Sequence, residues 1–107
     1  MPELPEVEIT RRGIAPHLCG AQIHDVVTRH LGLRYPFPAR LRECLIGQRV
    51  TAVRRRAKYL LLDLGERVVL LHLGMSGSLR VLPRDTPPGK HDHFDLVLGE
   101  RVLRLRD

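Results

Sequence analysis

The chain opens Met1-Pro2-Glu3-Leu4-Pro5-Glu6-Val7-Glu8, and the residue with the most chemistry in reach is Pro2. Removal of Met1, which a small neighbour such as proline permits, turns the Pro2 nitrogen from an acylated amide into a secondary amine. A free α-amino group has a reference pKa of about 8, against about 10.4 for lysine, so a useful fraction is neutral in neutral solution without burial. Attack by such an amine on a sugar or aldehyde carbon closes directly to a cationic iminium, an electron sink and the usual mark of Schiff-base catalysis. Glu3 sits beside it in sequence as a proton donor. The same segment also reads as an ordinary helix start, with Pro5 in the first turn and the Glu6 and Glu8 carboxylates near the positive end of the macrodipole. The readings are compatible. A helix from about Pro5 to Leu18, with Leu4, Val7, Ile14 and Leu18 on one stripe, would anchor a reactive terminus against a core.

Lys58 is the second chemical candidate. Only Lys58 and Lys90 are lysines, beside sixteen arginines. Arginine does not give up a proton at any relevant pH, whereas an ammonium crowded by other cations is pushed toward neutrality and can shuttle protons. The cations expected around it are Arg54, Arg55 and Arg56. The plain alternative is a surface lysine opening a strand.

His91 and His93 flank Asp92, and Asp95 follows. On an extended strand residues 91, 93 and 95 would share a face, two imidazoles and a carboxylate that zinc could accept. No fourth ligand or second cluster accompanies them, so no metal site is assigned. Met75, between Gly74 and Ser76, is an apolar side chain in a run of small residues, and folding back onto the core is one use for it. Cys19 and Cys44 are far apart and belong to no metal or redox pattern.

The elements that must carry these residues follow from periodicity and turn chemistry. After the first helix, Gln22 to Thr28 reads as a strand, followed by a loop holding Gly32 and the Tyr35-Pro36-Phe37-Pro38 cluster. Ala39 to Leu45 reads as a second short helix, with Leu41 and Leu45 at i, i+4. Arg49 to Arg56, Lys58 to Leu64, Arg67 to Leu73 and Ser78 to Leu82 read as strands filled with Val, Leu and Ile. Leu-Gly-Glu-Arg occurs at residues 64–67 and again at 98–101, and glycine in the first central position of a two-residue connection signals a type II′ hairpin. Arg84 to Gly89, with Pro87 and Pro88, is the main irregular loop. The expected architecture is mainly β, an antiparallel β-sandwich flanked by an N-terminal helix and a second short helix.

The 107 residues are one domain's worth, with no repeat or internal boundary. The net charge of +6 suits a polyanionic partner. Acidic and proline residues at the N-terminus replace the basic patch and apolar run of a secretion signal. No apolar stretch approaches the roughly 20 residues of a membrane span. The expected location is the cytoplasm, at the nucleoid within it.

The separated motifs fall into one pattern. Residues 1–8, Arg11-Arg12-Gly13-Ile14, Arg55-Arg56-Ala57-Lys58-Tyr59-Leu60-Leu61, His72-Leu73-Gly74-Met75-Ser76-Gly77-Ser78-Leu79 and Lys90-His91-Asp92-His93 occur in that order. Together they resemble the N-terminal catalytic domain of bacterial formamidopyrimidine-DNA glycosylases, and Leu4 favours that branch over the related endonuclease VIII branch. The resemblance implies base-excision repair of oxidised purines in damaged double-stranded DNA by a monomer with no membrane partner. It implies Pro2 as nucleophile, Glu3 as acid in base departure, and Lys58 as proton donor in strand cleavage and contact to a phosphate. It further implies His91 and His72 at DNA phosphates, Met75 in the gap left by the flipped base, and Glu6 near the extruded base. No catalytic metal or cofactor is implied within this chain. The family's helix-two-turn-helix domain and C-terminal zinc finger fall outside these residues, so the isolated fragment is expected to be impaired. The alternative from a different class is a catalytically weak basic β-domain that binds DNA nonspecifically.

Overall fold

The computed structural model describes residues 4–29, 40–73 and 77–107. Helix α1, Leu4–Leu18, begins at the expected proline-rich segment and buries Val7, Ile14 and Leu18. Leu4, which the sequence pattern puts on the same stripe, is 44% exposed, because it occupies the first turn, before the helix reaches the core. The strands are β1 (Asp25–Thr28), β2 (Ala52–Arg56), β3 (Tyr59–Leu64), β4 (Arg67–His72), β5 (Ser78–Pro83), β6 (Asp92–Val97) and β7 (Arg101–Arg106), with the short helix α2 (Leu41–Leu45) between β1 and β2.

They form two antiparallel sheets, β1-β6-β7-β5 and β2-β3-β4. Strand β3 carries the period-2 signal that built the second sheet: Leu60, Leu62 and Leu64 are buried. They pack with Val7, Ile14, Leu18, Phe94, Leu96 and Leu103 into one core. Full burial of each such side chain is worth about 1.5–3 kcal/mol, so the helix and both sheets share one stabilising centre.

Both Leu-Gly-Glu-Arg segments are two-residue hairpin tips. Leu64 pairs with Arg67, and the Leu98 amide donates to the Arg101 carbonyl. Gly65 and Gly99 have φ of 81° and 88° while the following glutamates stay at negative φ, the sign pattern of a type II′ turn.

Two strands are shorter than the sequence pattern suggests. Residues 22–23 and 48–49 tie to each other instead of to the sheets: Gln22 bridges Arg49, and the Ile23 amide donates to the Gln48 carbonyl, while the His24 amide is the first to reach β6, at the Val97 carbonyl. The true strands therefore start at Asp25 and Ala52, where the partners change to β6 and β3. The loop around Tyr35 lies outside the described residues, and the second helix starts at Leu41, later than the expected Ala39, because Arg40 has non-helical backbone angles. Cys19 and Cys44 are free thiols. Among the described residues no helix is long and apolar enough to cross a membrane.

Candidate functional site

Lys58 does not open β3; it sits at the tip of a hairpin. Arg56 pairs with Tyr59, leaving Ala57 and Lys58 as the two connecting residues. Ala57 has φ of 52°, the only positive φ on a non-glycine among the described residues. A side chain in that region costs of order 1–3 kcal/mol and persists only when its surroundings over-determine it. A two-residue tip in this sign pattern normally takes glycine, so nothing in the local sequence announces the turn.

Tyr59, next to Lys58, is the register partner of His72 at the end of β4. Their rings lie 4.9 Å apart, tilted by 47°. Lys58 and His72 therefore emerge at the same end of the three-stranded sheet. Beyond His72, Leu73 and Gly77 close the base of the segment that holds Met75, with the Gly77 amide donating to the Leu73 carbonyl at 2.8 Å. A Cβ on Gly77 would fall 2.2 Å from that oxygen, so only glycine fits the closure. Met75 itself lies outside the described residues, as do Pro2 and Glu3.

Strand register carries the same end across to the other sheet. Ser78 follows that closure directly and pairs with Arg106, which also pairs with Asp92 at the start of β6. His91 precedes Asp92 and is exposed, and its carbonyl accepts from the Asp107 amide. His91 thus joins His72 and Lys58 at one end of the sandwich. Both glycine-led hairpin tips lie at the opposite end.

The helix points the same way. Along α1 the contacts with the β2 strand and its approach run in reverse order: Glu8 meets Arg55, Arg11 meets the Val53 carbonyl, and Gly20 meets the Val50 carbonyl. The helix is antiparallel to β2, so its first turn, with the exposed Glu6, lies toward the Ala57–Lys58 tip. Pro2 and Glu3 immediately precede that turn in sequence.

Two of the three arginines expected to crowd Lys58, Arg54 and Arg55, are paired with carboxylates. Arg54 forks onto both carboxylate oxygens of Asp63, and that hydrogen-bonded guanidinium holds the carboxyl below its ordinary pKa. Arg55 bonds Glu8 and the Ala57 carbonyl. Glu8 also accepts from Arg11 and Arg12, and these three guanidiniums, Arg11 foremost, hold its carboxyl far below the usual range.

Residues 91, 93 and 95 do not share a face. A β-bulge between Asp92 and Phe94 inserts an extra residue and resets the alternation, leaving His91 exposed while His93 and Asp95 are buried. A His93 ring nitrogen lies 2.8 Å from the Asp107 carbonyl, and Asp95 is gripped by Arg104 and Arg29. Among the described residues no group of three or more His, Cys, Asp or Glu is arranged for a metal ion.

Sequence reasoning missed Tyr59 and the Glu8–Arg55 contact. The first was visible in principle, since the register of the β3–β4 hairpin is fixed by its glycine-led tip. The second joins positions 47 apart and leaves no local signal.

The formamidopyrimidine-DNA glycosylase N-terminal domain family matches residues 1–107. The formamidopyrimidine-DNA glycosylase of Janthinobacterium sp. (strain Marseille) is 59% identical over 107 residues, and that of Methylococcus capsulatus 60% identical over 108. Each alignment covers 100% of this chain but only 39% and 40% of the relative. The Lactococcus lactis enzyme, solved non-covalently bound to DNA containing an AP site, superposes with a TM-score of 0.90 at 30% identity, covering 99% of this chain and 41% of that one. The same enzyme in complex with FAPY-dG-containing DNA also gives a TM-score of 0.90. With its whole length matched by the family and its fold shared with a solved member, this chain belongs to the formamidopyrimidine-DNA glycosylase N-terminal domain family.

Proposed function

We propose that this chain carries the catalytic residues of a DNA glycosylase that excises oxidised purines and then cleaves the abasic strand. The observation that carries the reading is the common end of the sandwich: the first turn of α1, Lys58, His72, His91 and the closed base of the Met75 segment all meet there.

In this reading the damaged purine is flipped out of the duplex, at an unstacking cost of a few kcal/mol that Met75 offsets by filling the gap. The Pro2 nitrogen lone pair attacks the sugar C1′ and the glycosidic bond breaks. The departing base keeps the bonding electrons and takes a proton, with Glu3 as donor. The Pro2 nitrogen sheds its proton, the C1′–O4′ bond breaks with O4′ keeping the electrons and taking a proton, and the opened sugar is left as a C1′ iminium, which acidifies the C2′ hydrogens. Loss of a C2′ proton expels the 3′ phosphate by β-elimination, and loss of the C4′ proton, acidified through the new C2′–C3′ double bond, then expels the 5′ phosphate by δ-elimination. Lys58 supplies a proton during strand cleavage and contacts a phosphate. His72 and His91 donate hydrogen bonds to neighbouring phosphates, which fix position and not sequence. Glu6 lies by the extruded base. The iminium is its own electron sink, so the scheme calls for no cofactor, and the site of action is the nucleoid.

Borohydride trapping tests this with the natural-length protein. Incubation with DNA containing an oxidised guanine should yield a reduced adduct at Pro2, and a protein whose N-terminal extension survives processing should yield none. Glu3→Gln should slow excision by roughly 10²–10⁴-fold while affinity for the lesion changes little. Lys58→Arg should slow strand cleavage more than it weakens binding, because it keeps charge but not proton exchange. Normal cross-linking by the blocked protein would remove Pro2 from the mechanism.

A further inference from the structure

Arg55 stands where helix, strand and tip meet. Its Nε donates to Glu8 Oε1 at 3.0 Å, and its Nη1 donates to the Ala57 carbonyl at 2.9 Å. That carbonyl belongs to the peptide unit that joins Ala57 to Lys58. The unit is awkward to hold, since Ala57 occupies the left-handed region that disfavours a Cβ. A planar guanidinium with donors on two edges can fix both the helix carboxylate and the strained carbonyl at once, which an ammonium cannot. Glu8 is held in turn by Arg11 and Arg12, so it offers Arg55 an oriented acceptor.

We propose that Glu8 and Arg55 are a positioning pair that sets the Ala57–Lys58 tip against the first turn of α1, acting on strand cleavage through Lys58 and not on the DNA. The inference rests on the proposed role of Lys58. The Glu8–Arg55 contact is the part of α1 that reports on the tip, and α1 is the element that leads directly into Glu3 and Pro2.

The test uses the natural-length protein and two variants, Arg55→Lys and Glu8→Gln, so that a folding failure of one leaves the other. On abasic-site DNA, the cleavage rate at saturating DNA should fall by about 10- to 100-fold in each, as expected for sub-ångström to ångström misplacement, with half-saturating DNA concentration nearly unchanged. In a Lys58→Met background the same substitutions should cost almost nothing further, because their effect runs through Lys58. Amide hydrogen exchange at Lys58 and Tyr59 should quicken in both variants while exchange in β6 and β7 stays as in the parent. Unchanged exchange at the tip, full additivity with Lys58→Met, or a loss of affinity exceeding the loss of rate would each overturn the proposal. If tip exchange quickens but Lys58→Met cleaves normally, the pair positions the tip as described and the role given to Lys58 is wrong.

Discussion

Among the described residues, two carboxylates, Asp95 and Glu8, are each gripped by more than one guanidinium, and they do different work. Asp95 is 2% exposed, as is Arg104, whose fork binds both Asp95 oxygens at 2.9 and 3.0 Å; Arg29 adds a further contact. Arg104 also donates to the Thr86 carbonyl at 3.0 Å, tying the proline-rich loop to the sheet. Glu8, by contrast, keeps 23% of its side chain exposed, and its partners Arg11, Arg12 and Arg55 are more exposed still. At the Asp95–Arg104 pair, water cannot replace a lost partner, so the two ions depend on one another for stability, whereas Arg29 reaches them from a partly exposed position. At Glu8, water can, so the contacts fix geometry at little energetic stake. Burial decides which role an ion cluster can play.

The largest effect should come from breaking the buried cluster. Arg104→Met leaves the Asp95 charge inside the sheet with only Arg29 to answer it. Removing one partner of a buried pair costs about 3–5 kcal/mol, and the remaining Arg29 puts the expectation near the lower figure. Urea denaturation should show this as a lower midpoint with unchanged slope. A loss below about 1 kcal/mol would mean that the pair is effectively solvated and the contrast with Glu8 is false.

Acid should reproduce the same break more gradually. Burial on its own would raise the Asp95 carboxyl, but the hydrogen bonds from Arg104 and Arg29 outweigh it and hold the group below its ordinary value. A carboxyl depressed in the folded state stabilises fully above the ordinary range, about pH 4, and loses that contribution as pH falls through the folded value. Asp95→Asn should therefore be less stable than the parent in neutral solution, with the gap narrowing as acid titrates the parent. Thermal melts across the acid range would measure it. A gap of constant size would assign the acid sensitivity to Asp25, Asp63 or Glu8, whose carboxyls are depressed in the same direction.

These two clusters also mark what the sequence could and could not reveal. The β-sandwich and its opening helix were legible because their cause is local: Leu60, Leu62 and Leu64 alternate, Val7, Ile14 and Leu18 share a stripe, and Gly65 and Gly99 stand where hairpins need positive φ. The site was legible only as separate motifs. That Lys58 tops a hairpin depends on Ala57 adopting a conformation its residue type disfavours, and that His91 leaves the face of His93 depends on a bulge. Neither has a local signature. Asp95 reads in sequence as part of a metal-like run and not as the partner of Arg104, because spacing along a strand says nothing of what the neighbouring strand places opposite.

The smallest effect should come from the exposed cluster, and there the sign of the outcome matters more than its size. Glu8→Gln keeps the shape and one acceptor oxygen while removing the charge that three guanidiniums share. Solvated ion pairs of this kind contribute little to stability, so the denaturation midpoint should barely move even though the tip beside Lys58 is released. Whatever difference is measurable should vanish at about 1 M salt, where the screening length is about 3 Å, while the Arg104→Met deficit survives because solvent ions do not reach the Asp95 site. Denaturation curves of both variants at low and high salt would compare them directly. Should Glu8→Gln prove as costly as Arg104→Met and as indifferent to salt, the cluster is a staple of the fold, and its loss in catalysis would follow from unfolding of the helix and not from a displaced lysine.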